Sequence, residues 1–83
     1  MEWPAWWSWD VELTPHLVKR MADRQFDEVD LRTMLETAVS YREDDEFGRF
    51  VIETRHGGRV WEVIVEPATS DEALIVITAF PAD

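Results

Sequence analysis

The sequence contains no cysteine, which excludes disulfides and cysteine-based zinc sites. That absence suits a reducing compartment, and the cytoplasm is the expected location. Glycine is scarce, at 3 residues, and no glycine-rich phosphate loop, nucleophile elbow or paired metal motif occurs. No apolar stretch approaches the roughly 18 residues of a membrane span, so no membrane association is expected. No charged segment leading into an apolar run opens the chain, so no signal peptide is read there. Basic residues are few: 8 against 18 acidic ones, for a net charge of −10. Such a field repels phosphate backbones and anionic lipid, so strong nucleic-acid binding is not expected, and it attracts basic partners.

What is present supports one folded domain. The chain has 83 residues, of which 46% are hydrophobic and 12% aromatic, a folding composition rather than a disordered one. Residues 1–6 read as a tryptophan-rich arm and residues 7–83 as a single domain. From Trp7 the pattern alternates, with Trp7, Trp9, Val11 and Leu13 apolar, which predicts a strand with one buried face. Thr14-Pro15 is a helix start, since threonine caps free amides and proline suits the first helical position. That helix is expected to reach Arg24, with Leu17, Val18 and Met21 on the core side and His16, Arg20 and Arg24 on another stripe. Asp27 caps a second helix, with Phe26 and Leu31 as a hydrophobic staple. Its apolar face is read as Val29, Leu31, Met34, Leu35, Ala38 and Val39. The acidic run Glu43-Asp44-Asp45-Glu46 reads as a solvated loop.

Gly57-Gly58 is a two-residue hairpin signal. A turn there fixes the register: Thr54 faces Trp61, Ile52 faces Val63 and Phe50 faces Val65 on the helix side. Glu53 then faces Glu62, and Arg55 faces Val60, on the other side. A last strand, Ala73 to Phe80, runs Leu74-Ile75-Val76-Ile77 without alternation, which predicts cover on both faces. The tryptophan-rich N-terminus is the candidate cover for the face without helices. The expected fold is α+β, in the order β-α-α-β-β-β. Two helices pack on one face of a mainly antiparallel sheet of about four strands.

Few residues carry candidate chemistry. His16 lies near a helix N-terminus with Arg20 one turn on, which favours the neutral imidazole of a general base, or it is a surface or capping residue. His56 is expected to be exposed beside the glycine turn. The two histidines lack a liganding partner at helical spacing, so neither a metal nor another cofactor is expected. Glu53 opposite Glu62 is a like-charged pair, either neutralised by Arg55, Arg49 or a helix arginine or holding a proton for acid–base work. Thr78 is a polar residue late in an apolar strand, suited to packing or to positioning a phosphate. Trp3 and Trp6 fit an edge cap or a partner surface.

The stretch His16-Leu-Val-Lys-Arg-Met-Ala-Asp-Arg24, followed by Asp27-Glu-Val-Asp-Leu31, Leu35 and the final Val76-Ile77-Thr78-Ala79, resembles a small bacterial family, domain of unknown function 4258. The resemblance runs from Leu13 to Phe80. It implies the barnase, colicin and RelE-type ribonuclease-toxin fold and a catalytic site of His16, Arg20, Arg24 and Thr78. Arg55 and Glu53 are the candidate substrate-binding residues. Two functions follow as expectations. One is a toxin-like, metal-free ribonuclease acting on RNA. The other is a non-enzymatic binding module, or an acidic inhibitor of the immunity type, that takes a basic protein partner.

Overall fold

The computed structural model describes residues 2–83. A short 3-10 turn, Ala5–Ser8, precedes strand β1 (Asp10–Leu13). Helices α1 (Pro15–Arg24) and α2 (Glu28–Glu36) follow, then strands β2 (Ser40–Glu43), β3 (Phe50–His56), β4 (Arg59–Ala68) and β5 (Ala73–Pro81). The sheet is mixed, in the order β1-β5-β4-β3-β2. β1 runs parallel to β5, and the other neighbours are antiparallel. The architecture is α+β with two helices, and it has five strands where the sequence reading counted about four. The strand missed is β2, whose Ser-Tyr-Arg-Glu stretch is too short to show alternation before the acidic loop begins.

Both helices begin as their residues dictate. Thr14 accepts a bond from the Leu17 amide at 3.1 Å, and Pro15 occupies the first helical turn. Asp27 and Asp30 form a reciprocal capping box: the Asp30 amide donates to Asp27 at 2.8 Å and the Asp27 amide to Asp30 at 3.0 Å. α1 ends at Gln25, which adopts a left-handed conformation (φ 56°, ψ 52°) where glycine is the usual residue. Leu17, Phe26, Leu31, Met34 and Leu35 bring the helices' apolar side onto Ile52, Trp61, Val63, Val65, Leu74, Val76 and Ala79 of the sheet. Val18, Val29 and Val39 do not join them and are more than half exposed. α2 stops at Glu36, so Ala38 and Val39 lie past the helix that was expected to orient them.

The hairpin register holds as the glycine turn dictates: Ile52 pairs with Val63, Thr54 with Trp61 and Phe50 with Val65. Gly57 and Gly58 both take positive φ (59° and 78°), the conformation that a two-residue turn between twisted strands requires. β5 differs from expectation. Val65 pairs with Val76 while Ile64 pairs with Thr78, which leaves Ile77 as the extra residue of a bulge. The bulge adds Ile77 to the apolar run, whereas Leu74, Ile75 and Val76 pair with β4 in regular register and alternate in burial. Leu74, Val76 and Ala79 are buried, whereas Ile75 and Ile77 stay half-exposed, so this strand is not covered on both faces.

The tryptophans do not cover the helix-free face. Trp6 packs on Phe50 at 4.8 Å between ring centroids, and Trp3 and Trp6 both meet Tyr41. Phe50 and Tyr41 stand in register with Val65 and Ile52 on the helix side. The arm therefore extends the layer that the helices form. Trp7 belongs to the 3-10 turn and stacks on Trp3 at 4.3 Å, so the alternation seen from Trp7 starts as a strand only at Asp10.

Candidate functional site

β1 ends at Leu13, opposite Val76, so the rest of β5 has β4 as its strand partner and no strand on the other side. α1 lies along that open edge. Its first end is pinned there: the Thr14 hydroxyl is 3.0 Å from the Val76 carbonyl oxygen and 3.2 Å from that of Ile77. Its last residue is pinned too. Arg24 Nη1 donates to the Ala79 carbonyl at 2.8 Å and to Thr78 Oγ1 at 3.2 Å. The edge that lacks a strand thus receives donors from both ends of one helix.

Four of the sequence-selected residues meet this edge or the helix beside it. Arg24 and Thr78 are in direct contact. His16 stands in the first turn of α1 and is exposed. Arg20, half-buried, is held by Asp23 at 2.9 Å. A guanidinium bonded to a carboxylate, and another bonded to a carbonyl and a hydroxyl, are both already engaged. An incoming phosphate would have to displace those partners before either could bind it.

Arg55 and Glu53 are not part of this group. They lie on β3, two strands from β5 or roughly 10 Å away, and on the sheet face opposite the helices. Glu53 does pair with Glu62 as expected. Arg42, from β2, takes Glu62 at 3.1 Å, and Arg49 takes Glu66 at 3.1 Å. The arginine that reaches the like-charged pair is therefore Arg42 of β2, at Glu62, and not Arg55, Arg49 or a helix arginine. His56 is half-buried instead of exposed, set edge-on against Trp61 at 5.3 Å. At the chain end, Asp83 loses some hydration, which pushes its carboxyl up. Bonds from the Arg59 side chain and the Val60 amide outweigh that and leave it below the usual aspartate value.

A concave feature away from this edge was not foreseen. A cleft of about 190 Å³ opens between the tryptophan arm and α2, lined by Trp7, Val11, Leu35 and Leu74 with Arg32 and Glu36. Its apolar residues read as ordinary core in the sequence. The available signal was Glu36 itself, a carboxylate at a helix C-terminus, where the helix dipole disfavours negative charge.

Residues 13–81 match a family described as a domain of unknown function, DUF4258. The chain belongs to this family. The match begins at the last residue of β1 and takes in both helices and the other four strands, so the edge built by Thr14, Arg24 and Thr78 lies wholly within it. No curated protein and no solved structure matches the chain. DUF4258 carries no activity in its description, so function is argued from the site. No helix among the described residues is long and apolar enough to cross a membrane.

Proposed function

We propose that this chain is a non-enzymatic binding domain whose acidic surface takes a basic protein partner. One observation carries the reading: six of the eight basic residues are spent internally, and among the described residues only exposed Lys19 and Arg55 lack such a partner. Arg20, Arg32, Arg42, Arg49 and Arg59 each hold a carboxylate of the same chain, and Arg24 is bonded to β5. With 18 acidic residues in the chain, the charge left to face a partner is mainly carboxylate. Such a surface speeds the encounter with a basic partner and repels nucleic acid. Fluorescence anisotropy with a labelled lysine-leucine peptide and with a single-stranded RNA tests it. Binding of the peptide, weakening as salt rises, is the expected result. RNA bound below micromolar Kd at about 150 mM salt, where screening acts within about 8 Å, would overturn it.

A toxin-like, metal-free ribonuclease is the second reading, favoured by the contact of Arg24 with Thr78 on the helix that carries His16. In that reading His16 moves the proton of a 2′-hydroxyl, and Arg20 and Arg24 exchange their present partners for phosphate. General acid–base catalysis typically contributes about 10²–10⁴-fold. His16→Ala, an exposed substitution that spares the core, would then remove RNA cleavage by that factor. Cleavage unchanged in this variant would rule out the role.

A further inference from the structure

The cleft between the tryptophan arm and α2 has the chemistry of a site for a long cationic side chain. Trp7, Val11, Leu35 and Leu74 make an apolar floor, and the volume is about 190 Å³. An apolar cavity of about 150 Å³ holds a benzene molecule, so one side chain of lysine or arginine size fills this space. The charge at the rim decides which kind. Arg32 lies within reach of Glu28 at 3.4 Å, one turn back on α2. Glu36 has no ion-pair partner among the described residues. It is also the last residue of α2, and no basic residue occupies that last turn. The negative end of the helix dipole and the Glu36 carboxylate therefore coincide at the cleft, an arrangement that a cation relieves. An indole stands beside it in Trp7, and indole faces attract cations.

We propose that this cleft is the docking site for a lysine or arginine side chain of the basic partner. The aliphatic stem lies on the Trp7, Val11, Leu35 and Leu74 floor while the charged head meets Glu36. This rests on the reading of the chain as a binder of basic protein and names where that binding is centred.

The test uses a single side chain. Nα-acetyl-lysine methylamide, and the same compound with its ε-amine acetylated, are titrated into the isotopically labelled chain and followed by amide and indole NMR shifts. The expected result is a saturating response at millimolar concentration in Leu35, Glu36, Leu74 and the Trp7 indole. The acetylated compound should bind at least several-fold more weakly, and Glu36→Gln, an exposed change, should remove that preference. Equal binding of the two compounds, or a response confined to the Glu43–Glu46 loop, would overturn the site. The lysine-leucine peptide separates this claim from the reading beneath it. If the peptide binds with the same affinity to wild type and Glu36→Gln, the basic-partner reading stands and the cleft falls. If the lysine compound saturates the cleft and the peptide does not bind, the reverse holds.

Discussion

The Thr54 hydroxyl donates a 2.6 Å hydrogen bond to the carbonyl oxygen of Met34, joining the middle of β3 to the last turn of α2. Carbonyls in the last turn of a helix lack an intrahelical partner. Both residues are buried, so water cannot supply one. Thr54 supplies it from a sheet position whose neighbours Ile52 and Trp61 are apolar.

Thr54→Val keeps the shape and deletes the donor, leaving the Met34 carbonyl buried and unsatisfied. The expected loss is about 1–3 kcal/mol, or roughly 4–8 °C in melting temperature for each kcal/mol in a domain of this size. Thr54→Ser, which keeps the hydroxyl, should lose about 0.8 kcal/mol for the missing methyl. Urea unfolding of the two variants checks the order. A valine variant as stable as wild type would show that the bond contributes nothing.

Arg24 donates to the open edge of β5, and a double-mutant cycle measures what that contributes. Arg24→Met removes the donor to both Ala79 and Thr78 and should cost about 1–2 kcal/mol. Thr78→Val removes only the hydroxyl acceptor and should cost less. If Arg24 and Thr78 act on each other, the double variant loses less than the two singles together. Strict additivity would mean that the 3.2 Å contact is incidental and that Arg24 works through the Ala79 carbonyl alone.

Gln25 ends α1 in the left-handed region, which costs a non-glycine residue roughly 1–2 kcal/mol. Glycine removes that cost but adds freedom to the unfolded chain, worth about 0.4–1 kcal/mol in the other direction. Gln25→Gly should therefore stabilise by about 0.5 kcal/mol, a rise of roughly 2–4 °C. Thermal unfolding decides it. A fall in melting temperature would mean that the glutamine side chain contributes more than its backbone costs.

How far the sequence spoke depends on the range of the interaction. Caps and turns are local, so Thr14-Pro15, Asp27 and Gly57-Gly58 announced two helices and a register that the structure keeps. The bulge at Ile77 is set by pairing with β4, and four consecutive apolar residues look the same whether they are buried on both faces or out of phase with a neighbour. The tryptophan arm went to the helix side because Tyr41 and Phe50 wait there, and Tyr41 sits in the strand that the sequence concealed. Of the site, helical spacing placed His16, Arg20 and Arg24 together, and Thr78 joined Arg24. Arg55 and Glu53 fell two strands away, because strand order across a sheet is not written in local pattern.

Glu53 and Glu62 give the last prediction, because their arrangement separates an ion-pair network from a catalytic carboxylate. They stand directly opposite on β3 and β4, and like charges in that position repel. Arg42 pairs with Val51 on β3, two residue pairs along from Ser40 and Glu53, and its guanidinium reaches across to Glu62 at 3.1 Å. The arginine is more than half exposed and Glu62 mostly covered, so the attraction itself is modest, about 0.2–1 kcal/mol. Removing Arg42 exposes the repulsion as well, so Arg42→Ala should cost somewhat more than an exposed pair alone. Glu53→Gln, which removes one of the two charges, should be neutral or slightly stabilising in wild type. In the Arg42→Ala background it should restore part of the loss. Unfolding free energies of the two singles and the double variant complete the cycle. If Glu53→Gln fails to rescue Arg42→Ala, the two carboxylates do not interact through the arginine, and the network account of this pair is wrong.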